Sequence, residues 1–182
     1  FMLDEQSCFS LFNNITALSH DDEGSVWIGT VNGYIFKYSI SSSSIEKLES
    51  LRFSHGAGTP VRQLFADKEG ILWVADSYGL YQFNIRARAW IHDKQGALDS
   101  SFSSMQITGI SQDNEGTIWV ATDGKGLFLI DKHDFNITNL KNRPYADGGL
   151  SSDGLLSIYI DESGTSWIGT TKKGVDFYKK NI

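Results

Sequence analysis

Four aspartates recur at one spacing. Asp21, Asp67, Asp113 and Asp161 each stand three residues before a glycine (Gly24, Gly70, Gly116, Gly164) and six before a tryptophan (Trp27, Trp73, Trp119, Trp167). Carboxylates arrayed in this way could ligate a metal, work as acid and base, or cap turns. Asp21-Asp22-Glu23 and Asp113-Asn114-Glu115 are rich in oxygen. A calcium loop of the EF type, however, needs ligands at alternating positions and a distal bidentate Glu, and neither is present. Hydrolysis of a glycosidic bond needs two carboxylates, or a Tyr nucleophile, converging on one bond, and no such set can be assembled by spacing. A general base beside a metal would call on a histidine. His20 precedes a capping Asp, His92 and His133 fall within repeats, and only His55 lies between them. The reading is therefore turn capping, with no catalytic residue, metal or cofactor assigned.

The elements that hold these residues repeat with them. From Trp27 to Trp73, Trp119 and Trp167 the steps are 46, 46 and 48 residues. A period of this size marks an array of one structural unit. In the third copy, Gln106–Asp113 alternates like a strand and Asp113–Gly116 is a turn. Asp suits its first position, where the carboxylate accepts backbone N–H groups, and Gly its last, where φ is often positive. Thr117–Thr122 is a second strand, Asp123–Gly126 a second turn, Leu127–Asp131 a third strand and Asn136–Leu140 a polar fourth. Four antiparallel strands in about 45 residues make a β-propeller blade. The expected fold is all-β, with four blades of four antiparallel strands at about 15–51, 61–92, 107–140 and 155–182. A strand at 3–9 is a candidate to complete the last blade. The start at Phe1-Met2 favours a segment of a larger propeller, and the phase of the two ends keeps a closed four-blade ring open as the alternative.

The second strands carry Val26-Trp27-Ile28, Leu72-Trp73-Val74, Ile118-Trp119-Val120 and Ser166-Trp167-Ile168. Strands apolar on both faces are covered on both faces. Each Trp can bury roughly 150–250 Å², so all four are expected in the cores between blades. Small residues follow at Gly29, Ala75, Ala121 and Gly169, which lets the neighbouring blade come close. Asn32-Gly33 is a favoured pair for a two-residue hairpin. Trp90 falls outside the repeat, on an outer strand, where it either contacts another chain or caps its own blade.

The string Asp-x-x-Gly-x-x-Trp-[Ile/Val]-[Gly/Ala]-Thr, followed by Gly-[Leu/Val]-x-x-aromatic, resembles the two-component regulator propeller repeat. Asp161–Thr170 continuing to Gly174–Tyr178 matches best, and Asp113–Ile130 and Asp21–Tyr38 follow closely. The second copy departs, with Asp76 where the others have Thr30, Thr122 and Thr170. The resemblance implies a non-catalytic, extracytoplasmic sensor propeller of a histidine kinase, especially of hybrid two-component systems in Bacteroidetes. It also implies a periplasmic location and glycan fragments as the signal. The chain itself holds no nucleotide-binding box and no phosphoacceptor helix.

Enzymatic alternatives are a sialidase-like glycosidase or a streptogramin-lyase-like propeller, and a pure interaction scaffold is a third. The sialidase Asp-box is similar, but its Asp sits two residues before Gly. Those positions here are Asp22, Lys68, Asn114 and Glu162.

Composition narrows the partners. The 182 residues carry a net charge of −6, with 40% hydrophobic and 13% aromatic residues. No basic stripe is available for phosphate neutralisation, so nucleic acid is not an expected partner. No apolar run reaches the roughly 18–20 residues of a membrane span, so no membrane contact is expected. Cys8 is the single cysteine, which excludes an internal disulfide.

A ligand would sit on the face formed by the links between blades and the hairpins joining second and third strands. Arg52, His55, Tyr78, Lys125, Tyr145, Asp147 and Lys172 are the candidate ligand-binding residues there, with Phe53, Phe102 and Met105 beside them. Aromatic, Arg and Asp side chains suit an oligosaccharide through stacking and bidentate hydrogen bonds. A second copy of the chain, as in a homodimer, is the other expected partner.

Overall fold

Each Asp-x-x-Gly segment folds as the same tight hairpin. The Asp N–H donates to the carbonyl four residues on (Ser25, Ile71, Thr117, Thr165), and the Gly N–H donates back to the Asp carbonyl. Gly24, Gly70, Gly116 and Gly164 all take φ between 78° and 89°, a left-handed conformation that side chains resist. The turn thus selects Gly at that position.

The computed structural model describes residues 14–48, 58–91, 97–132, 134–143 and 149–179. The strand expected at 3–9 lies outside them, as do the outer ends of the expected blades at 49–51, 92 and 180–182. The chain divides into two compact units, Phe1–Ile91 and His92–Ile182.

The first unit holds two four-stranded antiparallel sheets. One comprises β1 (Ile15–His20), β2 (Ser25–Thr30), β3 (Ile35–Ser39) and β4 (Ser44–Lys47). The other comprises β5 (Gln63–Ala66), β6 (Ile71–Ala75), β7 (Leu80–Asn84) and β8 (Ala89–Ile91). Register fixes which residues share a face. Ser19 and Lys37 flank Trp27, while Leu18 and Phe36 flank Ile28 on the opposite side. The Trp27 face of the first sheet packs on Leu64, Leu72, Val74 and Phe83 of the second, with Ala17, Ile35, Leu48 and Val61 completing the core. Phe83 meets the Trp27 ring edge-on, with centroids 6.5 Å apart. Backbone polar groups are joined across the same seam. The Ala66 N–H donates to Ser19 Oγ at 2.9 Å, and the Thr16 hydroxyl donates to the Val61 carbonyl. A Cβ built on Gly29 would lie 2.5 Å from Val61 Cγ1, so the small residue two beyond the Trp does permit close approach here.

The second unit repeats the scheme. Its first sheet is β9 (Ile107–Gln112), β10 (Ile118–Thr122), β11 (Gly126–Ile130) and β12 (Ile137–Leu140). Its second is β13 (Leu155–Ile160), β14 (Thr165–Thr170) and β15 (Val175–Lys179), three strands among the described residues. Trp119 packs with Leu155, Ile158, Ile160 and Ile168 of the next sheet, and its ring lies 6.2 Å from that of Tyr178. Thr108 Oγ1 donates to the Leu155 carbonyl at 2.9 Å.

Three expectations need correction, and the placing of Trp90 resolves to one of its two alternatives. Trp27, Trp73 and Trp119 are 1%, 0% and 7% exposed, but Trp167 is 43% exposed, because no sheet of its own unit covers its face among the described residues. Phe102 is not a loop residue of the binding face. It ends the short helix α1 (Ala97–Phe102), is fully buried, and meets Phe128 with centroids 5.0 Å apart. Trp90 is half-buried and packs on Phe83 at 5.1 Å, capping its own blade. The hairpin at Asn32-Gly33 has a three-residue loop, closed by the Thr30 N–H to the Tyr34 carbonyl, with Gly33 at φ 78°.

Candidate functional site

The repeated aspartates are consumed by their own blades. In every repeat Oδ1 accepts backbone N–H groups two and four residues on. For Asp21 these are Glu23 at 3.1 Å and Ser25 at 2.8 Å, and for Asp67 they are Glu69 at 3.0 Å and Ile71 at 2.9 Å. Asp113 and Asp161 repeat the pattern. Oδ2 then accepts the indole N–H six residues on. The four Asp–Trp distances are 2.9, 2.8, 2.9 and 2.9 Å for Trp27, Trp73, Trp119 and Trp167.

This clasp was not anticipated from the sequence, although its signal is the constant six-residue spacing. It satisfies a Trp N–H that would otherwise be buried at a cost, and it aims the ring at the blade face. A carboxylate engaged on both oxygens is a poor base and a poor metal ligand. Asp161, on the exposed sheet, has its pKa lowered to about 2, first by the Ser163 hydroxyl and then by the Trp167 indole. Among the described residues, no three His, Cys, Asp or Glu side chains converge as metal ligands would.

The ends of the second strands explain the departure at Asp76. Thr30, Thr122 and Thr170 each donate their hydroxyl to the carbonyl four residues on, across a three-residue loop. The second repeat has a loop one residue shorter, closed by the Asp76 N–H to the Gly79 carbonyl. Asp76 is fully buried, and its Oδ1 accepts the N–H groups of Tyr78 at 2.7 Å and Gly79 at 3.0 Å. Its carboxylate therefore shapes the loop that carries Tyr78.

Tyr78, Lys125 and Lys172 all lie exposed on hairpins between second and third strands. In the first unit Tyr78 is joined on that side by Arg62, an exposed residue absent from the sequence candidates. Arg62 Nε donates to Ser77 Oγ at 3.3 Å, and its backbone N–H donates to the Ala75 carbonyl.

In the second unit, the link into the last sheet is stitched to both hairpins. Gly124 and Gly126 N–H groups donate to the Asp153 carbonyl, the Thr171 N–H donates to the Gly154 carbonyl, and Asp153 Oδ1 accepts the Asn142 N–H at 2.6 Å. Lys125 and Lys172 are thus carried by loops tied to one connecting segment. Arg52, Phe53, His55, Tyr145 and Asp147 lie outside the described residues. Met105 is half-buried beside α1, and His20 is exposed on β1, away from the hairpin face.

Antiparallel sheets joined in sequence, each with its Asp–Trp clasp, define a β-propeller segment. The family described as two component regulator propeller matches residues 10–32 and 101–124, so the chain carries repeats of that kind. No curated protein matches the sequence.

Among solved structures, the chain is similar to the extracellular domain of a B. thetaiotaomicron protein described as a hybrid two component system. The identity is 18% and the TM-score 0.75, over 92% of this chain and 22% of that one. A second such extracellular domain from B. thetaiotaomicron gives 16% identity and a TM-score of 0.65, over 91% and 23%. Catalytically inactive virginiamycin B lyase from Staphylococcus aureus gives 16% and 0.60, over 92% and 56%. At these identities the likeness is one of fold. The chain spans about a fifth of the length of the B. thetaiotaomicron domains. Among the described residues, no helix is long and apolar enough to cross a membrane.

Proposed function

We propose that this chain is a non-catalytic, extracytoplasmic recognition segment of a two-component sensor, in the periplasm, and that its ligand is a glycan fragment. The observation that carries the reading is the family match at two of the repeats. Two further facts support it. The relatives in fold include extracellular domains of proteins described as two component systems. The repeated carboxylates are tied up in turns and indole bonds, which leaves non-repeating residues of each unit to meet a ligand: Tyr78 and the link residue Arg62 in the first, Lys125 and Lys172 in the second. An exposed phenol and cationic donors suit a sugar, through stacking on its apolar face and hydrogen bonds to its hydroxyls. Candidates Arg52, His55, Tyr145 and Asp147 belong to the same proposal by their place in the links between blades.

The test is titration calorimetry against a panel of oligosaccharides, with chromatography of the ligand afterwards. Saturable binding weakened by Tyr78→Ala, with the sugar recovered intact, supports the reading. Cleavage lost on substitution of a hairpin residue would replace it with an enzyme. Absence of binding across the panel would remove the glycan and favour a scaffold.

A further inference from the structure

The hairpin end of the second unit gathers cations that the sequence scatters. Lys125 lies on the loop joining β10 to β11, Lys141 and Arg143 follow β12, and Lys172 and Lys173 lie on the loop joining β14 to β15. Along the chain these are short, separate groups, and no basic stripe is visible. The fold draws them together, because all three segments are fastened to the link at 152–154. The Asp153 carbonyl accepts the Gly124 and Gly126 N–H groups, and its Oδ1 accepts the Asn142 N–H at 2.6 Å. The Thr171 N–H donates to the Gly154 carbonyl. Contact is close enough to require glycine at two points. A Cβ on Gly126 would strike the Leu140 carbonyl, and one on Gly154 would lie 2.5 Å from Thr171 Oγ1. Lys125 and Lys141 thus flank the first contact and Lys172 flanks the second.

All five cations are exposed, and none forms an ion pair among the described residues. The carboxylates at this end are Asp123, Asp153 and Asp176. Asp153 and Asp176 are half-buried, and each spends an oxygen on a backbone N–H, of Asn142 and of Ser151 at 2.8 Å. Five exposed cations against three carboxylates is an excess of positive charge in a chain whose net charge is −6. The other end of the same two sheets has the opposite sign. Its turns carry Asp113, Glu115, Asp161 and Glu162, while Lys132 and Lys179 there are matched by Asp131 and Asp134. Like charges held together repel one another, and an anionic ligand relieves that repulsion.

We infer that this end of the second unit binds an anionic oligosaccharide, one that carries carboxylate or sulfate groups on successive sugars. The inference rests on the glycan reading above. It adds the charge of the ligand, and it adds Lys141, Arg143 and Lys173 to the site. Three cation-bearing segments offer several contact points, which suits a chain of charged sugars better than a single ion. Arg143 supplies a planar fork for a carboxylate or sulfate, and the lysines supply point charges.

The experiment is titration calorimetry of the chain with tetragalacturonate, its neutral carboxyl-reduced counterpart, a chondroitin sulfate tetrasaccharide and inorganic sulfate. At least one acidic tetrasaccharide is expected to bind about tenfold or more tighter than the neutral one, and which of the two does so tells carboxylate from sulfate. Raising the salt from about 50 to 300 mM should weaken that binding, as for contacts between exposed charges. Lys141→Glu and Lys172→Glu should each weaken it by about tenfold or more. Both side chains are exposed, and a circular-dichroism melt checks folding; Lys141→Gln and Lys172→Gln replace a reversal that melts early. Equal binding of the neutral and acidic sugars would overturn the inference and leave the glycan reading standing. Acidic binding indifferent to both lysine variants would move the site elsewhere and overturn it too. Inorganic sulfate bound as tightly as a tetrasaccharide would remove the multipoint contact. Binding of no sugar at all would overturn the inference together with the glycan reading beneath it.

Discussion

Trp27 and Trp167 are identical in motif and opposite in environment, and substituting each with Ala separates the two. Trp27 is 1% exposed and sits among Leu64, Leu72, Val74 and Phe83. Its removal costs about 3–5 kcal/mol, as for other large aromatic truncations in cores. Asp21, itself 8% exposed, also loses the indole donor to Oδ2 at 2.9 Å, which adds about 1 kcal/mol. The total, about 4–6 kcal/mol, rivals the whole stability of many domains, about 5–15 kcal/mol.

Trp167→Ala gives up much less. The ring is 43% exposed and its aromatic neighbour Phe177 is more exposed still, so about 1 kcal/mol is expected. The assay is equilibrium urea unfolding followed by far-UV circular dichroism, in dilute protein so that association does not contribute. With a slope of about 2 kcal/mol per molar, Trp27→Ala moves the midpoint of the first unit down by about 2–3 M. If that variant is unfolded from the start, Trp27→Phe keeps an aromatic ring and loses the donor, for about 1–3 kcal/mol. Equal midpoint shifts for Trp27→Ala and Trp167→Ala would refute the packing argument.

Two further outcomes follow from the turns. Asp76→Thr restores the residue found in the other repeats, yet it should destabilise by about 1–3 kcal/mol in thermal melts, because Asp76 Oδ1 accepts both the Tyr78 and Gly79 N–H groups, whereas the shorter-reaching Thr hydroxyl accepts one loop N–H at Thr30 and at Thr170. Asp76→Asn, which keeps one such oxygen, should cost less, and a stabilising Asp76→Thr would contradict this account of the loop. Asp161 has a folded pKa of about 2, below its ordinary 3.8. Its contribution is therefore present above about pH 4 and lost as the pH falls toward 2. Carboxyl titration by NMR should place its midpoint near 2 and move it upward in Ser163→Ala, and an unshifted midpoint in that variant would remove the hydroxyl as the main cause.

The repeat itself was legible because backbone geometry and strand period write directly into residue types. Gly at 24, 70, 116 and 164 follows from positive φ, and the apolar pair on either side of Trp27, Trp73 and Trp119 follows from strands covered on both faces. The Asp–Trp bond was visible only as an unexplained constant spacing. Asp and Trp six apart across a tight hairpin meet only once the strands are paired, and pairing is a tertiary fact. The departure at Asp76 was visible as a substitution but acquired its reason from a loop one residue shorter. The candidate hairpin residues were placed on the right element by strand order. Arg62 was missed because its position depends on how the link between sheets crosses the next hairpin.

What the sequence determined by itself was the unit: one hairpin-rich antiparallel sheet, its turns, and a tryptophan on one face. These are local consequences of side-chain size, backbone freedom and alternation, so every copy shows them. What only the tertiary structure decided was which of those tryptophans has a sheet packed on it among the described residues. Trp119 and Trp167 sit in the same motif and make the same bond to the same carboxylate. One is buried and the other is not, because burial belongs to the sheet that arrives opposite, and nothing within a strand's own residues encodes that sheet's presence.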